Sequence, residues 1–546
     1  MGKYTSVDDY YVNKGVIKGE FRFKLMTESE ILKHLKKVNI NKATGLDQLP
    51  ARFLRDGADV IVPAFTHIVN LSIRLGKVPS DMKGARVVPL HKKNSTLEVG
   101  NYRPVSILSV ASKILEKVAY DQLIEYLNNK RLIYNLQSGF RPSFSTDSCL
   151  MYLNDTIRRE IDHGNFVGMI LIDLQKAFDT VNHSILLHKL SAMGVHDSSL
   201  QWFDSYLVNR TQVVDVGGTI SEPNPISCEV PQGSILGPLL FLCYVNDMEQ
   251  SVSCELLLYA DDSALIISHK NVVQIETRLG QELSLLSEWL IDNRLSLHLG
   301  KTESILFASK GKVKKLSNLD ITCNNVSISA QPNVNYLGAK IQQNMSGENM
   351  AEAVVKKVSS KLKYLYRQCK GFNKETKKQL ANALIMAHFD YASSSWYSPL
   401  SKTTKKTLQI AQNKVIRFVL GLKPRTHIEF DHFNKLSWLP VSVRVEQLKL
   451  SHMFKIITGT APEYMQKLNL IKEVHSHNTR YSLLNIHVPN IGTMGLNSFS
   501  YTGILAWNAL PSSIKSINDI NSFKREVKKY LTERYKKDCS NAFIYY

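Results

Sequence analysis

The sequence predicts an α+β protein: a buried, largely antiparallel sheet with helices on one face, followed by a mostly helical C-terminal region. Three observations carry this. Between residues 166 and 345, runs rich in Val, Ile and Leu are bounded by Gly, Pro and Asp. Beyond Met350, apolar residues recur at alternating spacings of three and four. Over 546 residues the composition is 44% hydrophobic and 21% charged, which excludes wholesale disorder. A chain this long buries a large core without needing disulfides or structural metals.

The elements follow in order. Thr27-Glu28-Ser29-Glu30 is a capping box that opens a helix through Leu35. Residues 60–75 and 109–128 are apolar helices, and the rest of 25–165 reads as short turn-rich pieces. Strands are expected at 167–174, 256–260, 264–268, 304–307 and 335–341, with helices at 184–193, 235–247 and 273–292 between them. After that, Val355, Val358, Leu362, Leu365, Cys369 and Phe372 form an amphipathic seam. Lys356, Lys363, Arg367, Lys370 and Lys374 run beside it at similar spacing. Segment 351–380 holds nine basic and two acidic residues, so the stripe reads either as a solvated face or as a track for phosphates.

Charge points the same way. Lys and Arg total 68 against 48 Asp and Glu, a formal net charge of +20. Such an excess fits a polyanionic partner. The seven cysteines form no CxxC pair, which fits a reducing compartment and gives no zinc knuckle or finger. The most apolar stretch, 235–245, is well short of the roughly 20 residues a membrane span needs, so no membrane partner is expected.

The chemistry concentrates on carboxylates. Asp261 and Asp262 interrupt two apolar strands, where a β-hairpin would place them at its tight turn. A plain turn needs only one Asp. Two adjacent carboxylates repel, and divalent cations would offset that cost. A third acid, Asp173, ends the apolar run Gly168–Ile172. If both segments share one sheet, Asp173 faces the hairpin, and three carboxylates make a hard oxygen site suited to Mg²⁺. Asp179 precedes Thr180-Val181-Asn182-His183 and a helix, which suits a turn or capping role.

At this point the chain resembles a known family. Tyr259-Ala260-Asp261-Asp262 is similar to the catalytic tetrad of reverse transcriptases. Other blocks stand in that family's order: Asn101–Ser106 and Gln137–Pro142 resemble finger motifs, and Asp173–Asp179 the first palm carboxylate motif. Pro231–Pro238 resembles the loop-and-helix motif before the catalytic hairpin, and Gly300-Lys301-Thr302 and Tyr336-Leu337-Gly338 the two blocks after it. The set is most similar to non-LTR, jockey-like retrotransposon polyproteins, from about Asn41 to the end.

The resemblance implies a right hand: an extension over 1–24, fingers over 25–165, palm over 166–345, helical thumb over 346–425, and a C-terminal region of unknown role over 426–546. It implies an RNA-directed DNA polymerase with an RNA template, a DNA primer and deoxynucleoside triphosphates as partners. It implies two Mg²⁺ ions, with Mn²⁺ able to substitute, on Asp173, Asp261 and Asp262. It places Phe178 under the sugar of the incoming nucleotide, Lys92 or Lys93 with Arg103 on the triphosphate, Gln232 and Gly233 beside the nucleotide, and Lys301 as proton donor to pyrophosphate. Two positions depart from the family: Glu229 stands where Gly is usual, and His298 where Asn is frequent. They keep a second reading in view, a catalytically decayed nucleic-acid-binding protein. Only about 40 residues precede the first polymerase block, too few for an endonuclease domain. The expectation is a polymerase that cannot nick its own target.

Overall fold

The computed structural model describes residues 6–17, 19–92, 94–226, 228–313, 319–466 and 484–541. The chain forms two compact units. The first gathers Met1–Phe140, Ile172–Leu265 and Gln281–Lys301; the second gathers Arg141–Leu171, Ile266–Gly280 and Thr302–Tyr546. The strands in chain order are β1 (Gly84–His91), β2 (Tyr102–Leu108), β3 (Phe166–Ile172), β4 (Arg210–Val216), β5 (Thr219–Ile220), β6 (Asn224–Ile226), β7 (Glu255–Tyr259) and β8 (Asp262–His269). They continue with β9 (Glu303–Phe307), β10 (Thr322–Cys323), β11 (Val326–Ser327), β12 (Ser329–Ala330), β13 (Asn333–Tyr336) and β14 (Ala339–Gln342).

In the first unit β1 and β2 pair antiparallel, from Ala85↔Leu108 to His91↔Tyr102. β4 joins β1 in parallel, and β5 and β6 join β4 antiparallel. No strand is expected within 25–165 from the sequence, so this sheet corrects that reading. The reason is physical. Pro89 and Pro104 face each other across the ladder and the outer end of the hairpin is exposed, so neither strand shows a continuous apolar run. β7 and the start of β8 form a second hairpin of this unit. The capping box is present as expected, with Thr27 accepting from the Glu30 amide and Glu30 from the Thr27 amide. Ala58–Leu75 is long and apolar enough to cross a membrane, which corrects the expectation that no stretch is; its buried side, with Val62, Phe65, Val69 and Ile73, faces the protein core.

The second unit continues with the order β12-β9-β3 and, next to β3, the later part of β8. β3 and β9 pair antiparallel from Val167↔Phe307 to Leu171↔Glu303. Gly168 lies under the helix Val272–Asp292: a Cβ there would sit 2.3 Å from Ile275 Cγ2. The single strand expected at 335–341 is a hairpin instead, β13 and β14 turning at Leu337 and Gly338, both at positive φ. From Glu348 onward every described regular element is helical.

Helix Glu348–Gln368 buries Ala351, Val354, Val358, Leu362 and Leu365. The expected seam is thus right at four positions, while Val354 replaces Val355 and Phe372 is exposed. The C-terminal helices share one core built on Met453, Phe454, Trp507 and Phe523, and Met151 of helix Thr146–Asp162 belongs to it. Asp155 on that helix accepts from the Phe499 and Ser500 amides at 2.7 Å each, at the N-terminus of helix Phe499–Asn508.

Candidate active site

All the acids singled out from the sequence fall in the first unit. β7 ends at Tyr259 and β8 begins at Asp262, so the turn residues are Ala260 and Asp261. The expectation of both acids within the turn is corrected by one residue: Asp262 already belongs to the strand. Ala260 has φ +58, a conformation that costs a non-glycine residue on the order of 1–2 kcal/mol. The chain holds it there with a strap. Gln137 Oε1 accepts from the Gly139 amide at 2.8 Å and the Ala260 amide at 3.0 Å, and the Ser138 amide donates to the Leu258 carbonyl at 2.8 Å. A Cβ on Gly139 would lie 2.3 Å from the Ala260 nitrogen, so the close approach requires glycine. Gln137 is buried. The sequence reading placed Gln137–Pro142 in a finger-like block but gave no contact with the hairpin: a Gln-Ser-Gly run signals a turn, and nothing local names its partner about 120 residues away.

Asp173 directly follows Ile172. Its carbonyl accepts from the His298 amide at 2.8 Å, and Leu174 bridges Leu297. Its carboxylate lies 3.3 Å from Lys301 Nζ, in a half-exposed ion pair. The Asp262 carboxyl is pushed up to about 6, first by burial and then by the charges of Asp261 and Asp173. The three acids therefore feel one another. Among the described residues, no three Asp, Glu, His or Cys side chains are gathered as a ready-made cage. The donor set is still one that fits hard divalent cations, which take a few carboxylates and complete their shell with water and phosphate. Such a charge would relieve the crowding that raises Asp262.

Beside the acids, Phe178 stacks on Phe241 at 4.3 Å between centroids and meets Phe140 edge-on at 6.0 Å. It is half-buried, with one face on the core. Asp179 takes the turn role, its amide donating to the Lys176 carbonyl at 2.8 Å, and its carboxylate accepts from Gln232 Nε2 at 2.5 Å. The cap of helix His183–Ala192 is Asn182, not Asp179. The Gln232 carbonyl accepts from the Ser106 amide at 2.7 Å, and Gly233, at φ +130, leaves only 2.3 Å between a would-be Cβ and the Ser106 carbonyl oxygen. The loop Pro231–Ser234 is thus seated on β2.

Glu229, just ahead of that loop, has φ +92, where L side chains are strained. Its amide donates to the Val181 carbonyl and its carbonyl accepts from His183 Nε2. Its carboxyl is raised to about 7 by burial first and by Asp179 second. Lys92 and Arg103 are exposed toward the open end of the β1–β2 hairpin, where the Lys92 amide donates to the Asn101 carbonyl and Arg103 pairs with Leu90. Neither forms an ion pair with the carboxylates among the described residues. Lys93 lies outside the described residues. Lys356, Lys363 and Arg367 on helix Glu348–Gln368, Lys370 after it and Lys374 at the next helix are all exposed, and all belong to the second unit.

With this geometry in place, comparison with known proteins adds what the chain is similar to. Residues 90–341 match the family model described as reverse transcriptase (RNA-dependent DNA polymerase). The chain is 28% identical over 296 residues to the RNA-directed DNA polymerase from mobile element jockey of Drosophila melanogaster, covering 52% of this chain and 32% of the relative. Its counterpart from Drosophila funebris is 24% identical over 408 residues, covering 72% and 44%. The probable RNA-directed DNA polymerase from transposon BS of Drosophila melanogaster is 24% identical over 408 residues, covering 71% and 44%. The matched stretches span less than half the length of these relatives. The sheet, the acid-bearing hairpin and the match all lie in one stretch, so residues 90–341 are similar to a reverse transcriptase domain. More particularly, the chain is similar to polymerases of jockey-like elements of the non-LTR retrotransposon group.

Proposed function

We propose that the chain extends a DNA primer 3′-hydroxyl on an RNA template, joining deoxynucleotides and releasing pyrophosphate. The observation that carries this is the Asp261–Asp262 hairpin, strapped in a strained turn and close enough to Asp173 for the three charges to interact. In this reading the β7–β8 hairpin and Asp173 are palm, the β1–β2 hairpin belongs to the fingers, and the helices from Glu348 to about 425 form a thumb. Asp173, Asp261 and Asp262 would hold two Mg²⁺ ions, which supply charge stabilisation for the attacking and leaving oxygens. Lys301, 3.3 Å from the Asp173 carboxylate, is the ammonium that would donate a proton to the pyrophosphate oxygen. Lys92 and Arg103 offer a point charge and a bidentate fork to the triphosphate. Phe178, fixed against Phe241, fills the space a 2′-hydroxyl would need. Gln232 is oriented by Asp179 and lines the nucleotide with Gly233.

The strained, carboxyl-bearing Glu229 beside this loop favours one other reading, a decayed nucleic-acid-binding protein. Extension of a primed homopolymer RNA by the purified chain separates the two. Asp173→Asn and Asp261→Asn should each lower extension at least about a thousandfold, roughly 4 kcal/mol, with primed-template binding retained. Residual extension above about a tenth of wild type in either variant defeats the assignment of the acids.

A further inference from the structure

The helical C-terminal region holds a feature that the polymerase reading does not use. Two adjoining cavities of about 360 and 340 Å³ share Ser437, Trp438, Leu439 and Lys528. Their walls carry five cations, Lys378, Arg444, Arg525, Lys528 and Lys529, against two carboxylates, Asp390 and Glu533. The Asp390 carboxylate is taken up by Arg444, at 2.7 Å from Nη2 and 3.1 Å from Nε. That leaves a surplus of positive charge. Lys528 forms no ion pair among the described residues, and its ammonium is held below the ordinary lysine range, by burial first and then by the charges of Arg444 and Lys378.

Aromatic surface runs through the same place. Trp438 stands where the two cavities meet, half-buried, its indole nitrogen donating to Asn382 Oδ1 at 3.0 Å. Tyr535 lines one cavity. The backbone is irregular on both sides of the indole. Ser437 has φ +52, a left-handed conformation that a non-glycine residue adopts at a cost. Asn382 and Met386, which line the other cavity, begin and end a π-helical turn, a feature that recurs at functional sites. Arg444 is paired with Asp390 and Lys378 lies 4.0 Å from Glu375, so the ring is presented beside Lys528, Arg525 and Lys529, with Glu533 as the carboxylate on their side.

We propose that this double cavity binds single-stranded nucleic acid, with a base against Trp438 and the neighbouring phosphates on Lys528, Arg525 and Lys529. A groove of cations with an interleaved aromatic platform is the chemistry that takes a flexible polyanion with flat bases without reading its sequence. A lone anion would have no use for the indole, and a duplex would have no unstacked base to give it. The site does not depend on the polymerase chemistry: it lies in the C-terminal helices, away in sequence from every acid assigned above.

The full chain and a single-stranded RNA of about 20 nucleotides bearing 5-iodouridine test it. Irradiation should attach the RNA to the peptide containing Trp438. Trp438→Leu should weaken binding about fivefold to a hundredfold, the range for one lost base stack, while Trp438→Phe keeps most of it. Lys528→Gln should lower the log–log salt slope by about 0.7, one single-strand phosphate contact. Unchanged affinity and slope in Lys528→Gln, or cross-links only elsewhere in the chain, overturn the proposal. So does protection of the site by inorganic phosphate with no RNA attachment, which would make it an anion pocket. Single-nucleotide extension on a short primed template is measured on the same preparations. A chain that cross-links at Trp438 yet does not extend sinks the polymerase reading and not this one.

Discussion

At the residue scale, Glu229 and Gln137 carry the sharpest consequences. Glu229 sits at φ +92, so the glycine expected from the family resemblance is what its backbone asks for. Relief of about 1–2 kcal/mol of strain outweighs the 0.5–1 kcal/mol that glycine loses to unfolded-state entropy, so Glu229→Gly should be the more stable protein by up to about 1 kcal/mol. The pH dependence adds a sign. The folded carboxyl titrates near 7, above the ordinary glutamate value, so the folded state binds the proton more tightly than the unfolded chain. This residue therefore costs wild-type stability progressively as pH rises from about 4.5 through 7, and the variant should lose that slope. Urea melts of both proteins at pH 5 and pH 8 measure it; a variant advantage no larger at pH 8 than at pH 5 rejects the charge argument. Gln137 acts through other groups, holding the Ala260 amide that sets the hairpin. Gln137→Leu should lower kcat and raise the Mg²⁺ concentration for half-maximal extension, with primed-template affinity retained. Gln137→Glu keeps the acceptor oxygen and should recover part of the loss. Equal Mg²⁺ dependence in all three proteins would leave Gln137 a packing residue only.

At the element scale, helix Glu348–Gln368 shows how far periodicity carries. Its apolar spacing places Val358, Leu362 and Leu365 inside, and the observed seam agrees at these positions. On an ideal helix Lys356, Lys363 and Arg367 fall on the side opposite that seam, which is why all three are exposed. Exposure alone does not distinguish a solvated face from a phosphate track, but salt does. Replacing Lys363, Arg367 and Lys370 together with Gln should reduce the log–log salt slope of primed-template binding by roughly 0.7–0.9 per lost phosphate contact, similarly for all sequences. An unchanged slope makes the face an ordinary one. The β1–β2 hairpin teaches the opposite lesson. Its ladder is set by pairing with β4, a segment more than 100 residues further on, and its prolines hide it from any local strand pattern.

At the scale of the whole molecule, the second unit is assembled from distant stretches of chain. Helix Thr146–Asp162 lies between two finger-like sequence blocks and the first palm acid, yet its side chains serve the C-terminal helices. Met151 enters their core, Asp155 accepts from the Phe499 and Ser500 amides, and Asp162 accepts from the Met494 and Gly495 amides. The described residues between 426 and 541 are therefore no appendage of the second unit. Asp155→Ala would leave two buried amides unpaired at about 1–3 kcal/mol each, and should lower the melting midpoint of that unit by several degrees. Deleting 426–546 should do worse, exposing the Met151 face and giving insoluble chain; a soluble truncation that melts as wild type would contradict this packing. Legible in the sequence by itself were the α+β class, the helical region beyond Met350, and Asp173, Asp261 and Asp262 as candidate carboxylates. Those signals are local: apolar periodicity, punctuation by Gly and Pro, and acids placed where a strand ends. What only the tertiary structure decided is which distant groups meet: Gln137 on Ala260, Lys301 on Asp173, Asp179 on Gln232, and a helix from the first third of the chain in the C-terminal core. Each joins residues far apart in sequence, where no periodicity reaches, and the geometry that brings them together is fixed by burial and hydrogen-bond closure of the whole fold.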